Sequence, residues 1–358
     1  MKPAPGVGFL CYLWKFKPIR STMSEESRKL YPLRFIEEGI EKKWGRVSYK
    51  VADLGIKESM IQEGWLGGST LPEAIETYLE RLVGDDVFEV YGLQFPLMVK
   101  TLDVRGRQPL MVNAPDEAAF ERYDSLGKTA LWYVLEADRD ALIYLGFSKD
   151  MDAGELYSRC ASGTIEEVLN AVHPHAGDAF LIKPGTVFSA GQGLKIVEIS
   201  ECSELTFSIH DWGDGLSEGE ELLLEEALDL IEYSSAEPVP VRGSVLAEIP
   251  QFKVTELKLS APLQISSEQP GSFTLYTCAR GGASIQVPLE EENGSLREYP
   301  LKAGQSLLVP AEVDTFFLVP TSDGTVLLES LVEHQDVQDE EVPVETDDEE
   351  DPHVKTWS

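Results

Sequence analysis

"HAGDAFLIKPGTVFSA" (His175–Ala190) and "KAGQSLLVPAEVDTFFLV" (Lys302–Val319) are written to one plan. Each begins with a histidine or lysine, passes through Ala-Gly and a polar residue into an apolar strand, then a proline, then a second strand. Two distant copies of one strand–turn–strand unit predict two related β-domains. Around them short apolar runs broken by Gly, Pro and Asp recur, among them "ALWYVLEA", "ALIYLGF", "LKIVEIS", "LTFSIHDW", "FTLYTCA" and "ASIQVPL". Strands at this even spacing predict a mainly β chain of jelly-roll or barrel-like sandwiches. Between the copies "SSAEPVPVRGS" (Ser234–Ser244) reads as a proline-rich linker.

Helices are few. "STLPEAIETYLERLVG" (Ser69–Gly84) carries Leu71, Ile75, Tyr78, Leu79 and Leu82 on one face, with Pro72 in its first turn and Gly84 as its stop. "SEGEELLLEEALDLIEYSS" predicts a second helix over 217–233, acid-rich in its first turn, with Leu223, Ala227, Leu230 and Ile231 at helical spacing.

At 358 residues the chain is long enough for two domains with real cores, and 42% hydrophobic residues fit a globular protein. Sixty-three acids against 30 bases give a net charge of −33. Such a surface argues against nucleic acid as a partner, because phosphate binding needs a basic face. Cys11, Cys160, Cys202 and Cys278 form no Cys-x-x-Cys pair, which fits a reducing compartment and predicts neither a structural zinc site nor a disulfide framework. No apolar run is long enough to span a bilayer, so a cytoplasmic protein is expected, with no membrane partner. The first 22 residues, "MKPAPGVGFLCYLWKFKPIRST", read as an extension ahead of a natural start at Met23; a signal peptide is the weaker reading. Glu333 to Asp351 holds eleven acids and no Lys or Arg, and reads as a disordered acidic tail.

In order along the chain stand "LYPLRF…KKWG", "QFPLMVKTLDV" (Gln94–Val104), "PLMV…PDE", "GKTALWYVL…IYLGF", "AGDAFLIKPGTVFSAGQGLKIVEIS" and "LTFSIHDWG". This series, from about Leu30 to Leu331, resembles the type I phosphomannose isomerases, zinc enzymes of the cupin superfamily that interconvert mannose 6-phosphate and fructose 6-phosphate. The resemblance implies two cupin-like jelly rolls with a small helical element. The expected domains are an N-terminal one over 23–233 and a C-terminal one over 244–332, with the tail at 333–358. It also implies where zinc ligands should stand, and there the chain departs. The family's Gln-x-His strand falls on Asn113 and Ala114, its ligand glutamate on Ala130 and its last histidine on Phe188. A family arginine near the sugar falls on Ser208, and a serine before the metal strand on Met111. Zinc requires about four N, O or S donors, at least three from protein in a catalytic site. Ala114, Ala130 and Phe188 offer none, so loss of the family's zinc is expected and no cofactor in its place.

Other residues offer less. His173 and His175 form a His-x-His pair that the resemblance places in a turn before a strand, and His210 beside Asp211 implies no couple, since neighbours on a strand face opposite ways. "GQGLK" (Gly191–Lys195) lacks the strand–helix context of a phosphate loop. Lys100 and Lys128 stand where the family has lysines close to its substrate. Either they hold a sugar phosphate as point charges, or Lys128 decorates a turn and Lys100 ends a strand. Glu198, also matched to a family glutamate, either serves as a base or hydroxyl ligand or merely balances Lys128. With Phe188, Ala130 and Met111 replacing polar groups, the cup is expected to pack as an apolar core, leaving Lys100 and Lys128 at its rim. Three functions follow: a catalytically degenerate relative that binds a sugar phosphate or regulates, an active isomerase with relocated metal or metal-free acid–base chemistry, and an interaction module acting through the acidic tail.

Overall fold

The computed structural model describes residues 28–266, 271–289 and 295–333. The expectations for the first 22 residues and for the tail beyond Glu333 lie outside these residues. The first half holds strands β1 (Glu38–Lys42), β2 (Gly45–Val51), β3 (Leu97–Val104), β4 (Leu110–Asn113), β5 (Ala130–Ala137) and β6 (Ile143–Phe147). It continues with β7 (Leu169–Val172), β8 (Ala179–Ile182), β9 (Val187–Ala190), β10 (Leu194–Glu201) and β11 (Thr206–His210). The second half holds β12 (Val245–Ile249), β13 (Phe252–Leu259), β14 (Leu263–Ser266), β15 (Thr274–Arg280) and β16 (Gly282–Pro288). It ends with β17 (Leu296–Lys302), β18 (Ser306–Val309), β19 (Thr315–Pro320) and β20 (Thr325–Leu331).

These strands form four sheets, ordered β1-β2-β3-β10-β5-β8, β11-β4-β9-β6-β7, β12-β13-β20-β15-β18 and β14-β19-β16-β17. The strands from β3 to β10 recur ten numbers later in the same neighbour relations: β3-β10-β5-β8 matches β13-β20-β15-β18, and β4-β9-β6-β7 matches β14-β19-β16-β17. The sequence repeat is thus a repeat of topology, with two mainly β sandwiches of jelly-roll type. All the pairings are antiparallel, so one face of each sheet turns inward and alternate residues line it.

In the six-stranded sheet the strands inside the edge strand β1 are buried on both faces. Met98, Leu102, Val134, Ile196 and their row neighbours pack inward against Ile143, Leu145, Phe188 and Ala190 of the five-stranded sheet. Leu97, Val99, Leu131, Val197 and Ile199 face the other way, into a core continuous with Phe273, Leu275, Leu307 and Leu328 of the second sandwich. Leu33 seals this junction by exchanging backbone hydrogen bonds with Leu308 at 2.7 and 3.0 Å.

Local structure corrects both predicted helices. The first starts as expected: Thr70 accepts from Glu73 N, and Glu73 reaches back to Thr70 N at 2.9 Å, a capping box with Pro72 behind it. It then breaks at Leu79 (φ 47°) into α1 (Leu71–Tyr78) and α2 (Glu80–Val83), and Gly84 is followed at once by α3 (Asp85–Tyr91). Gly84, at φ 96°, lies so close to the second sandwich that a Cβ would meet Gly271 O at 2.2 Å. After α4 (Asp116–Tyr123) and α5 (Ala153–Ser162), the expected helix over 217–233 shrinks to α6, Leu224–Ala227. Tertiary bonds explain the loss: Glu220 is held by Lys42 at 2.5 Å and Ser217 N at 3.1 Å, and Leu223 N donates to Ser208 O at 2.7 Å. Glu221 and Glu225, one helical turn apart, would also repel each other. Among the described residues no helix is long and apolar enough to cross a membrane.

Candidate functional site

Two cross-strand rows build a cup inside the first sandwich. On the six-stranded sheet, strand pairing sets Tyr49, Lys100, Glu198, Trp132 and Phe180 side by side across β2, β3, β10, β5 and β8. On the facing sheet the row is Ser208, Met111, Phe188 and Leu145. Directly paired residues share a face, so both rows look inward. A cavity of about 320 Å³ lies between them, lined also by Trp44 and Leu223.

Phe188 therefore does not turn the cup into solid core, as the sequence led us to expect. Its ring is buried edge-on against Trp132, centroids 5.4 Å apart and planes at 89°. It forms one wall, because the polar groups opposite would lose hydration if the ring covered them.

Those polar groups form one cluster. Glu198 Oε1 stands 3.0 Å from Lys100 Nζ and 3.3 Å from Lys128 Nζ, while Oε2 accepts from Trp132 Nε1 at 2.8 Å. The ammonium groups meet Oε1 as ion pairs, off the direction of an aligned hydrogen bond. Lys100 also donates to the half-exposed Glu204 at 3.2 Å, as does the Tyr49 hydroxyl. Both lysines are at the floor and not the rim, 6% and 4% exposed, which corrects the sequence reading; Lys100 lies mid-strand rather than at a strand end. Burial alone would lower Lys100, but Glu198 and Glu204 outweigh it and hold its ammonium well above the ordinary range. Lys128 goes the other way: burial lowers it, Lys100 adds to that, and Glu198 only partly offsets the fall. Burial would raise Glu198, yet the two ammonium groups win and hold it far below the usual carboxylate range.

The loop between α4 and β5 that carries Lys128 is pinned from both sides. Gly127 N donates to Asp116 Oδ1 at 2.9 Å, Lys128 N to Ala114 O at 3.0 Å and Thr129 N to Glu201 Oε2 at 2.7 Å. A Cβ on Gly127 would stand 2.5 Å from Asp116 N, so only glycine fits there. Lys128 Nζ also donates to Thr206 Oγ1 at 3.3 Å, which in turn donates to Asn113 Oδ1 at 2.8 Å.

No family model matches the chain. It is 29% identical over 277 residues to the mannose-6-phosphate isomerase ManA of Bacillus subtilis, covering 73% of this chain and 82% of that protein. The crystal structure of a Bacillus subtilis mannose 6-phosphate isomerase superposes with a TM-score of 0.72 at 21% identity, over 84% of this chain and 99% of that one. Over most of its length the chain is similar to mannose-6-phosphate isomerases. A zinc-bound mannose 6-phosphate isomerase shares the fold at a TM-score of 0.64 and 14% identity, over 85% of this chain and all of that one.

The positions to which the resemblance carries the zinc ligands do not fit a zinc ion. Ala114 and Ala130 are buried with no donor atom, and Phe188 presents a ring. Asn113 has its Oδ1 taken by Thr206, and its buried Nδ2 meets no partner. Glu198, the buried carboxylate of the cup, is already neutralised by two ammonium groups. Among the described residues no three His, Cys, Asp or Glu gather into a group capable of holding a metal.

Of the residues singled out in the sequence, Lys100, Lys128 and Glu198 come together, and Met111, Phe188 and Ser208 face them. His173 and His175 are exposed on a turn away from the cup. His210 rests edge-on against Trp212, centroids 5.1 Å apart, and Asp211 accepts from Gly213 N instead. Sequence reading missed Tyr49, Trp132, Glu204, Asp116 and Glu201. Trp132 and Tyr49 join the site through the register of β5 and β2 against Glu198 and Lys100, which no single strand's sequence carries.

Proposed function

We propose that this homologue is a catalytically degenerate member of its lineage that binds a sugar in the cup without isomerising it. One observation carries the reading. The side chains facing the cavity from β4, β9 and β11 are Met111, Phe188, Thr206 and Ser208, none of them a carboxylate or imidazole, and the carboxylate opposite them is locked by Lys100, Lys128 and Trp132. Aldose–ketose isomerisation needs a base for the α-proton and a group to polarise the carbonyl. Glu198, held ionised at low proton affinity, is a poor base. What remains suits binding: aromatic walls from Trp44, Tyr49, Trp132 and Phe188, with hydroxyl and charged groups at one end.

A second reading, metal-free isomerisation, draws on the lowered proton affinity of Lys128. A deprotonated Lys128 would be the base and Lys100 the polarising cation. The experiment that separates the two is a coupled mannose 6-phosphate isomerase assay on metal-analysed protein, with and without added zinc. Binding without turnover supports the first reading; turnover lost in Lys128→Met supports the second. The interaction-module reading rests on the acidic tail, which lies outside the described residues.

A further inference from the structure

The charges around the cup say what kind of sugar it takes, an inference that rests on the sugar-binding reading above. The charged side chains lining the cavity are three lysines, Lys42, Lys100 and Lys128, against four glutamates, Glu198, Glu204, Glu220 and Glu221. Every one of these lysines is engaged: Lys42 with Glu220 at 2.5 Å, Lys100 with Glu198 and Glu204 at 3.0 and 3.2 Å, Lys128 with Glu198 at 3.3 Å. Among the described lining residues there is no arginine to grip a phosphate with two parallel bonds. Arg107, on the far side of Pro109, is turned away, its guanidinium 3.5 Å above the Trp212 ring and paired with Glu166 at 3.1 Å.

A phosphate entering this floor would have to displace Glu198 from both ammonium groups, or stand beside it. Glu198 cannot leave, because it is 5% exposed and fixed by Trp132. With a phosphate dianion beside Glu198, three negative charges would share two ammonium groups, with Glu204 a further anion on Lys100, and the excess is poorly screened in a buried site. The net charge of −33 adds a long-range field of the same sign. An uncharged ring meets none of this. Its C–H faces suit the aromatic walls, and its hydroxyls can bond to Thr206, Ser208 and the lysine–glutamate cluster without separating the charges.

We infer that the cup selects an uncharged aldose or polyol and discriminates against its phosphate ester. The test titrates the full chain with mannose, mannose 6-phosphate and inorganic phosphate, by calorimetry and ligand-observed NMR, at low and high salt. Mannose is expected to bind more tightly than mannose 6-phosphate by about tenfold or more at low salt, a gap worth roughly 1.4 kcal/mol. High salt and Glu204→Gln should each narrow the gap, because both weaken the repulsion. Glu204 is half-exposed, so its replacement leaves the fold intact, and Ser208→Phe, which fills the cavity, should abolish mannose binding. Tighter binding of mannose 6-phosphate than of mannose overturns this inference and leaves the sugar-binding reading standing. Failure of both sugars to bind, or mannose binding that survives Ser208→Phe, overturns the two together.

Discussion

Lys100 and Glu198 stand directly opposite each other on β3 and β10, and their charged ends meet at 3.0 Å inside the cup. A second lysine, Lys128 from the loop between α4 and β5, reaches the same carboxylate oxygen at 3.3 Å. The pair is thus a triad of two cations on one anion, sealed by the Trp132 indole. Buried ion pairs of this kind hold a structure mainly by what their loss leaves behind.

Glu198→Ala should therefore cost about 3–5 kcal/mol of stability, because two buried ammonium groups lose their shared partner. Chemical denaturation measures this. A loss below about 1 kcal/mol, the range of an exposed pair, would show that the triad is solvated and not buried.

Restoring zinc-type residues should not restore chemistry. Phe188→His with Ala130→Glu should lower stability by roughly 2 kcal/mol or more, since it puts a carboxylate into a buried site with Ile182 and Ser200 as its cross-strand neighbours. No isomerase activity should appear, with or without added zinc. Turnover in the double variant would mean that the donor set is more nearly complete than Asn113 and Ala114 suggest.

Stability should fall as pH rises through neutrality because of Glu201. Burial, followed by the nearby Asp116 carboxylate, raises this carboxyl to about 7. The unfolded chain titrates it at an ordinary carboxylate value, so the folded state binds the proton more tightly. Its contribution is complete below the ordinary carboxylate range and is lost as pH rises through about 7. Glu198 acts in the opposite sense: its folded value is depressed, so its contribution is present above the ordinary range and lost as pH falls. Glu201→Gln should flatten the upper limb of a melting-temperature profile and leave the acid limb unchanged. An unaltered upper limb in that variant would assign it to another group.

Gly84→Ala should cost about 1–3 kcal/mol, because the residue sits at φ 96° with its missing Cβ facing Gly271 O. The measurement is a denaturation curve, and an unchanged midpoint would mean that the contact between α2–α3 and the second sandwich yields freely.

The repeated unit at His175 and Lys302 made the paired sandwiches legible, because its proline-broken strands map onto β8–β9 and β18–β19 in equivalent places. Lys100, Lys128 and Glu198 were legible as candidates too. Their mutual geometry was not, since it depends on the register of β3 against β10 and on the α4–β5 loop, whose position is set by Asp116 and Glu201, carboxylates far apart in sequence. Apolar spacing misled over 217–233, where Leu223, Ala227 and Leu230 do turn inward but long-range bonds to Lys42 and Ser208 spread the chain across the mouth of the cup. The expectation of a filled cup failed for a related reason. Counting apolar replacements at Met111, Ala130 and Phe188 ignores the charged row they face, which a packed ring would strip of hydration.

The most direct test of the central claim is a coupled isomerase assay on purified full-length protein whose metal content has been measured, run on mannose 6-phosphate with and without zinc. The account predicts no turnover above background under either condition. Turnover in the ordinary enzymic range of about 1–10³ per second would contradict it, and its loss in Lys128→Met would assign the chemistry to the lysines of the cup.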